Sequence, residues 1–582
     1  MFTVLFKLGW FFKKYKTRYL IALTLLIALN FFDVVPPALM GGVIDAINQG
    51  SLTATRLMAM IAIYVGLIVI GYAFGFIWQS QLFGGANELQ RTLRGRLMRH
   101  FLLMTPTFFE KNRTGDLMAR ATNDLNAVSE TAGFGILTLV DSTTYSATIL
   151  VTMAVLVSWK LTLFSLLPMP LISYLMTKYG KLVHQRFIKA QFAFGRMNDR
   201  VLETITGIRV LRAYVQERAE ERRFDEITED VFQKNVAVAK IDSMFEPTIK
   251  ILVGAMYLIG LGYGSYLVFQ SKITLGGLTA FNVYLGMLIW PMLAIGELIN
   301  TMQRGNASLD RVTETLSYQP DVADAEETVP MDVPREIAFQ GVTFRYPQST
   351  VDNLKHVTLT ISRGATLGIA GRTGSGKSTL IKQILREYPP AREGLLTVNG
   401  TPIDHIALHE LHRWLGYVPQ ESLLFSRTIE QNVRFGKADA SAEELAVALS
   451  VAGLTRDLET LPDGVKTLVG ERGITLSGGQ KQRVALARAL IVNPEVLILD
   501  DAMSAVDART EAHIVEAIRT LRRGRTTIIA THRLSAIAHA DWIVVLDDGA
   551  IVEEGTHDDL MQRRRWYFEQ YLRQQVEARL ES

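Results

Sequence analysis

The stretch Gly-Arg-Thr-Gly-Ser-Gly-Lys-Ser-Thr at residues 371–379 decides how the C-terminal half of the chain is interpreted. A short β-like run, 365–370, precedes it, and a helical pattern begins at Lys377. Strand, glycine loop and helix in this order predict a phosphate-binding loop, because glycines let backbone N–H groups converge on phosphate oxygens. The helix N-terminus adds positive potential. Lys377 supplies a cation for the outer phosphates of a nucleotide, and the Ser378 hydroxyl suits Mg²⁺.

Two later apolar runs end in residues that we expect at the same site. Val496–Asp500 is continuously apolar up to its final carboxylate, and Thr526–Ala530 is a similar run followed by Thr531 and His532. Runs of this kind are typical of buried parallel strands. Asp500 is therefore expected to hold a metal-bound water near the phosphate loop. An isolated histidine is more often structural, but the position of His532 after a strand of the same sheet favours a functional role.

Six apolar stretches in the first 300 residues are each long enough to cross a bilayer, which needs roughly 20 residues. They are 19–43, 57–82, 132–158, 161–180, 247–269 and 274–300. Six in succession favour a membrane domain over the buried helices of a large soluble protein. The loops after the first, third and fifth stretches carry few cations, whereas the N-terminus and the other connections carry many. Both chain ends are therefore expected in the cytoplasm.

The connections 83–131 and 181–246 are too long for ordinary turns and have helical periodicity. We expect the spanning helices to continue into the cytoplasm, and the bends near 107–120 and 212–217 to touch the second domain. Residues 1–16 are interpreted as an amphipathic helix on the cytoplasmic face; the alternative is the start of the first span.

Ionisable and polar side chains inside the apolar stretches are costly and often functional. They predict a polar-lined substrate cavity, although each of them could instead pair with another or lie at a helix interface. The candidate residues are Asp33, Asp141, Asn282, Trp290 and Glu297.

Length and composition set the remaining bounds. A chain of 582 residues implies more than one core. We expect a transmembrane domain over 1–318 and a nucleotide-binding domain over 319–582, where β-like and helix-like runs alternate as in α/β folds. The 61 Lys and Arg nearly balance the 58 Asp and Glu, so nothing indicates a nucleic-acid partner. The absence of cysteine excludes disulfides, thiolate metal sites and a cysteine nucleophile.

Residues 476–480 read Leu-Ser-Gly-Gly-Gln. With this motif the chain resembles an ATP-binding cassette (ABC) exporter half-transporter. The resemblance covers nearly the whole chain and implies an all-α six-helix transmembrane domain followed by an α/β P-loop domain. It assigns adenine stacking to Tyr346, a Mg²⁺-reaching and domain-sensing role to Gln420, and the metal-linked carboxylate to Asp500. It assigns the switch histidine to His532 and coupling contacts to the segment 469–473. The matched loops are the phosphate loop Gly371, Arg372, Thr373, Gly374, Ser375, Gly376, Lys377, Ser378 and Thr379; the signature loop Ser477, Gly478, Gly479 and Gln480; and the dimer-contact loop 504–507.

The resemblance also implies ATP and Mg²⁺ as ligands and a second half-transporter as partner. Each ATP would lie between the phosphate loop of one chain and the signature loop of the other. One chain alone cannot build a complete site of that kind.

One position departs from the family pattern. A glutamate that polarises the attacking water normally follows the strand-end aspartate, and this chain has Asp501 there. Aspartate is one methylene shorter, so its carboxylate falls short by about 1.5 Å. With Lys377 and His532, Asp501 would form a site that binds ATP but hydrolyses it slowly. We therefore expect a heterodimer in which this chain holds the degenerate site; the alternative is a homodimer in which Asp501 acts through backbone adjustment or an extra water.

The expected function is ATP-driven export of amphipathic small molecules, drugs or lipids, by alternating access. The location implied is a bacterial cytoplasmic membrane, with surrounding lipid as a further partner. Two alternatives remain open: a homodimeric lipid or peptide exporter, and a membrane-bound regulatory ATPase that transports nothing.

Overall fold

A computed structural model describes residues 2–581 of the chain, apart from Glu471, Arg472 and Ile474. The segment 469–473, expected to make coupling contacts, therefore lies partly outside the described residues. The chain divides into two compact units. The membrane unit comprises the residues up to Arg99 together with Gly115–Ser317, and the nucleotide unit comprises His100–Thr114 and Tyr318–Ser582.

The membrane unit is helical in its described part. Its α-helices are Thr3–Lys7, Gly9–Lys14, Lys16–Asp33, Val35–Asn48, Ala54–Leu103, Thr114–Ala119, Leu125–Glu130, Ile136–Val140, Ser146–Thr152, Trp159–Ser165, Met169–Thr206, Ile208–Ala213, Glu217–Asp242, Phe245–Phe269, Leu275–Met287 and Ile289–Ser317. Single π-helical turns join the short helices between Thr114 and Ser158. At Ser158 the backbone is extended (ψ 121°), and the hydroxyl of Ser158 caps the next helix, Trp159–Ser165. The N-terminal residues are helical as expected, but their apolar face (Val4, Leu8 and Phe11) is fully buried in protein.

The six predicted spans remain a prediction. By length and apolar composition alone, five helical rods in the described part of the chain could cross a membrane. They are Lys16–Asn48, Ala54–Leu103, Thr114–Ser165, Glu217–Phe269 and Leu275–Ser317. The stretch 161–180 does not form one helix, because the chain turns at 166–168 next to Pro168 and Pro170. The helix that follows, Met169–Thr206, already carries Lys178 and Lys181 in its first four turns and so lacks a long apolar window.

The long connections are helical, as predicted. Ala54–Leu103 has 50 residues and therefore rises about 75 Å, far more than the roughly 30 Å of bilayer hydrocarbon. The chain bends at 104–105, 112–113 and 214–216, and Val215 adopts a left-handed φ of 53° there. The first of these bends, with the short helix Pro106–Lys111, packs as part of the nucleotide unit.

Two membrane helices approach closely at glycines. The amide of Gly276 donates to Asp45 Oδ1 at 2.7 Å, and a Cβ on Gly276 would stand 1.9 Å from the carbonyl oxygen of Gly41. The same pair of helices is joined where the first span breaks at Val34, whose carbonyl accepts a 2.6 Å hydrogen bond from the Tyr284 hydroxyl. The Val34 carbonyl at the break is thus paired, which matters in a bilayer that offers no water.

The nucleotide unit is built on two sheets, as expected for an α/β domain. Its strands are β1 Glu336–Phe344, β2 Leu354–Ser362, β3 Thr366–Gly371, β4 Glu393–Val398, β5 Thr401–Pro402, β6 Leu415–Val418, β7 Val496–Asp500, β8 Thr526–Ala530, β9 Trp542–Asp547 and β10 Ala550–Gly555. The six-stranded sheet has the order β10-β9-β3-β8-β7-β6 and is parallel except for β10. The antiparallel sheet has the order β2-β1-β4-β5.

Helices cover these sheets and complete two apolar cores, one on each side of the parallel sheet. The α-helices of this unit are Pro106–Lys111, Lys377–Ile384, Leu408–Trp414, Ile429–Val433, Ala442–Val451, Thr455–Thr460, Gly478–Leu490, Ala508–Leu521, His557–Arg563 and Trp566–Glu581. Strands β7 and β8 are buried at every residue, so the residues that follow them emerge together at one edge of the sheet.

Gly276→Ala should destabilise the membrane unit by about 1–3 kcal/mol, because the added methyl overlaps the Gly41 carbonyl and forces the helices apart. Thermal unfolding of the detergent-purified protein would measure this. Gly254→Ala is the matched control, since its Cβ would meet nothing within 4 Å. Equal melting temperatures for the two variants would contradict the proposed backbone contact.

Candidate nucleotide-binding site

The glycine loop after β3 has the geometry of a phosphate cradle. Gly371, Gly374 and Gly376 have φ values of 146°, 82° and 105°, which favour glycine. A Cβ on Gly371 would meet the Leu546 carbonyl oxygen at 2.3 Å. The Ser375 hydroxyl is buried and has no hydrogen-bond partner among the described residues. A buried, unpaired hydroxyl in a glycine loop at a helix N-terminus fits an anionic ligand.

Lys377 starts the helix Lys377–Ile384 and folds back over this loop. Its Nζ donates to the carbonyls of Gly371 and Arg372, each at 2.9 Å. Burial lowers the pKa of Lys377, while the nearby carboxylates of Asp501 and Asp500 raise it. The ammonium is thus held by backbone oxygens and poorly solvated, and an incoming phosphate would be a stronger partner for it.

Asp500 at the end of β7 meets the phosphate-loop helix directly. The Ser378 hydroxyl donates to Asp500 Oδ1 at 3.0 Å. Asp500 is only 4% exposed, and burial raises its pKa, against the Ser378 hydrogen bond. The pairing of a serine hydroxyl with a strand-end carboxylate gives two oxygen ligands of the kind that Mg²⁺ prefers.

Asp501 follows at once and has an uncommon backbone conformation. Its φ is 48°, and its amide donates to the Ala530 carbonyl at 2.8 Å. Among non-glycine residues, aspartate is one of the few that adopt the left-handed region readily. The Asp501 carboxylate lies close enough to Lys377 to interact with it electrostatically.

Gln420 and His532 follow β6 and β8, the two strands that flank β7, and emerge at the same edge of the sheet. Gln420 is exposed, two residues after β6, and His532 is half-buried, two residues after β8. The carbonyl of His532 accepts a 2.7 Å hydrogen bond from Gln574 Nε2, which anchors the backbone and leaves the imidazole free of this contact.

Tyr346 is joined to the phosphate-loop helix. Its hydroxyl donates to Thr379 Oγ1 at 3.1 Å, and the ring lies edge-on to Tyr388 with centroids 4.7 Å apart. Its position beside the loop is compatible with the adenine-stacking role that the resemblance implies.

The signature residues form a helix cap away from this cradle. Ser477 caps the helix Gly478–Leu490, and the amide of Gln480 donates to Ser477 Oγ at 3.3 Å in a reciprocal capping box. Gln480 Nε2 donates to Asp457 Oδ1 at 3.0 Å. In the described residues these side chains make hydrogen bonds with each other and with Asp457, and none with the phosphate loop.

Sequence reasoning did not identify the residues that hold the loop after Asp501. Gln482 Nε2 donates to Ser504 Oγ at 2.9 Å, and Gln482 Oε1 accepts from the Ala505 amide at 2.9 Å. Arg533 donates to the Val506 carbonyl at 2.7 Å and to Glu511 at 2.6 Å. The sequence marked these residues only by their neighbours: Gln482 lies in the helix that the signature loop begins, and Arg533 follows His532.

In the membrane unit the structure joins three of the five candidate cavity residues. Trp290 Nε1 donates to Asp141 Oδ2 at 2.9 Å, and Asp33 lies close enough to Asp141 to interact electrostatically. The Asn282 amide instead donates to the Leu278 carbonyl of its own helix at 3.0 Å. Glu297 is exposed and is not part of this group.

A helical unit with several apolar rods, followed by a P-loop α/β unit with a signature helix, defines an ABC-type transporter half. Two family models match the chain: the ABC transporter transmembrane region over residues 19–292 and the ABC transporter domain over 354–504. The chain therefore belongs to the ABC transporters and is an ATPase coupled to transport across a membrane.

Known relatives match along the whole length. The chain is 57% identical to a Bacillus subtilis (strain 168) protein described as probable multidrug resistance ABC transporter ATP-binding/permease protein YheI, covering 99% of this chain and 98% of that one. It is 41% identical to the multidrug resistance-like ATP-binding protein MdlA of Escherichia coli (strain K12), covering 99% and 97%. A solved bacterial Atm1-family ABC exporter with ATP bound is 26% identical, with a TM-score of 0.77 and coverage of 96% and 98%.

Lys377→Ala should weaken ATP binding roughly 30-fold or more, because it leaves a charged phosphate without its buried cationic partner. Equilibrium binding of a fluorescent ATP analogue to the purified full-length chain would measure this. Lys355→Ala is the control, since Lys355 pairs with Asp548 at the surface of the same unit. An unchanged affinity in Lys377→Ala would contradict the assigned phosphate site.

Proposed function

We propose that this chain binds Mg²⁺–ATP in the loop 371–379 and uses the binding energy to drive export of amphipathic small molecules. Lys377 faces the outer phosphates, and Tyr346 stacks on adenine. Ser378, Asp500 and Gln420 hold the metal ion, which neutralises phosphate charge when bound. His532 lies at the same edge of the sheet, next to the terminal phosphate. The unpaired Ser375 hydroxyl and the Ser378–Asp500 contact are the main support.

The signature residues Ser477, Gly478, Gly479 and Gln480 are proposed to complete the ATP site of a second half-transporter. Their cap sits at a helix N-terminus, where backbone N–H groups and the helix dipole favour an anion. Because their hydrogen bonds in this chain do not involve its own phosphate loop, an anion at this helix end would come from another subunit. Exporters of this family work as dimers, which agrees with such a shared site.

The single observation that carries the degenerate-site proposal is Asp501, directly after the metal-linked Asp500. A general base must reach within about 2.6–3.2 Å of the proton it takes, or act through one water. The aspartate side chain has one methylene fewer than glutamate, so its carboxylate reaches about 1.5 Å less far. We infer that this subunit retains ATP, while hydrolysis proceeds at a site formed by its own signature loop and a partner with a glutamate. The dimer is thus a heterodimer.

Asp501→Glu should raise ATP turnover at this chain's site by up to about a hundredfold, because misplacement of a catalytic group by about 1 Å costs that much. Turnover is measured on the purified complex with its partner half, whose own phosphate-loop lysine is replaced so that only this site contributes. Asp501→Asn is the control and should stay slow, because it has the size of aspartate and no basic carboxylate.

Two results would contradict the degenerate-site proposal. One is fast hydrolysis by a homogeneous homodimer of the unaltered chain. The other is the same low turnover in Asp501→Glu as in Asp501→Asn, which would place the limiting step in another part of the site.

For the substrate, the Asp33–Asp141–Trp290 group is the proposed contact region. Trp290 is 48% exposed and offers an aromatic surface beside a carboxylate at membrane depth. Charged groups at this depth face a water-filled cavity or another subunit rather than lipid. The multidrug names of two relatives support amphipathic substrates. We place the protein in a bacterial cytoplasmic membrane with both termini in the cytoplasm, on the basis of loop charge.

Trp290→Phe should weaken stimulation of ATPase activity by amphipathic compounds about tenfold, since it removes the hydrogen bond to Asp141 and leaves that carboxylate unpaired. The measurement is a concentration series of each compound with the assembled transporter. Trp159→Phe, at another exposed tryptophan of the same unit, is the control. Identical stimulation curves for the two variants would exclude this group as a substrate contact.

A further inference from the structure

The first helical bend is anchored in the nucleotide unit by an aromatic side chain. Phe108 in the helix Pro106–Lys111 is 1% exposed. Its ring lies edge-on to Tyr318 at a centroid distance of 5.0 Å and near Phe101 at 6.3 Å. Thr105 also hydrogen-bonds to Asp321. The helix Pro106–Lys111 is therefore packed as part of the nucleotide unit. In sequence it follows the long helix Ala54–Leu103 after only two residues.

A hydrogen bond joins this bend to Tyr388, the residue whose ring packs against Tyr346. The Tyr388 hydroxyl donates to Glu110 Oε1 at 2.5 Å. Tyr388 is 4% exposed, and burial raises its pKa, so that the hydroxyl keeps its proton and acts as the donor. Hydrogen bonds from a neutral donor to a carboxylate are among the stronger ones in proteins.

The ring of Tyr388 in turn supports Tyr346. The two rings meet edge to face, with centroids 4.7 Å apart and planes at 77°, an arrangement that aromatic pairs prefer. Lys382 Nζ lies 5.7 Å from the Tyr346 centroid and 5.6 Å from that of Tyr388. Lys382 and Thr379, the hydrogen-bond partner of Tyr346, both belong to the phosphate-loop helix. Tyr346 is thus held by two contacts: its hydroxyl bonds to Thr379 of that helix, and its ring packs against Tyr388.

Tyr388 belongs to the apolar core of this unit and also borders a cavity. The cavity measures about 110 Å³ and is lined as well by Gln383, Arg386 and residues 321–323. Gln383 Nε2 has no partner among the described residues, so this side of the ring is less closely packed than the side that contacts Tyr346.

We propose that Glu110 and Tyr388 are positioning residues for Tyr346, through which the bend Pro106–Lys111 responds to the nucleotide base. Adenine stacked on Tyr346 fixes that ring, the ring fixes Tyr388, and the Tyr388 hydroxyl fixes Glu110. The inference rests on the proposed adenine contact of Tyr346. Because coupling between two positions is reciprocal, a displaced bend also weakens the response of Tyr346 to the base.

The chain has no cysteine, so Phe109→Cys introduces a unique thiol on this chain at an exposed position next to Glu110. The labelling rate of that thiol is measured on the full-length chain with ATP and with inorganic tripolyphosphate. We expect ATP to change the rate and tripolyphosphate to change it less, because only ATP carries the base.

Adding Tyr388→Phe to this background should reduce the ATP-specific change about 5-fold or more, at the lower end of couplings between sites. Glu110→Ala should do the same, Glu110→Gln should retain the change because its carbonyl still accepts, and the double variant should be no worse than either single one. Tyr318→Phe, which alters a hydroxyl beside the same bend, is the control.

An ATP-specific change that survives in Tyr388→Phe would overturn the inference, as would additive losses in the double variant. A loss of ATP affinity with a lower melting temperature in Tyr388→Phe would also overturn it, since that result marks a merely structural contact. If ATP binding to the unaltered chain is absent or insensitive to Lys377→Ala, the proposed function itself fails, which is a different result.

Discussion

The geometry of the nucleotide site depends on the hydrogen bond between Ser378 and Asp500. It joins the first turn of the phosphate-loop helix to the end of β7, although β8 lies between β7 and the strand that carries the loop. Parallel strands end at a common edge, and this contact fixes how far the loop stands from that edge. The other candidate residues follow strands of the same sheet; they are Lys377, Asp501, Gln420 and His532. The order of the strands therefore decides which residues come together at the site, more than the conformation of any one loop does.

The same edge also ties this chain's own site to its signature helix. A Cβ on Gly479 would meet the Ala505 carbonyl at 2.7 Å, and Gln482 and Arg533 clamp the loop 504–506 that leads back to Asp501. Buried polar networks of this kind are stable only when every member is satisfied. A chain of contacts thus runs from the loop after Asp500 to the helix cap that we propose for the partner's ATP.

Sequence alone was sufficient where function depends on consecutive residues. The loop 371–379 and the run Val496–Asp500 lie where their patterns placed them, because a strand followed by a glycine turn leaves little choice of backbone. The stretch 161–180 stays a predicted span, and the turn inside it at 166–168, next to Pro168, is the feature that average hydropathy does not reveal. Gln482, Arg533 and Tyr388 were missed because their contacts join residues from about twenty to nearly three hundred positions apart, and no local periodicity marks such pairs. Glu297 was grouped with Asp141 on composition alone; its side chain is exposed, and its place in the cavity stays a prediction.

The left-handed backbone at Asp501 gives a physical reason why the shorter side chain is tolerated there. A residue at φ 48° costs less as aspartate than as most other non-glycine residues, because its short polar side chain is compatible with that region. A glutamate would gain reach toward the attacking water but hold more strain, as functional sites often do. In the proposed degenerate site, a subunit that only retains ATP would not need that reach, and aspartate would adopt the left-handed backbone with less strain. The signature helix, which is capped by its own Ser477 and Gln480, would be unaltered.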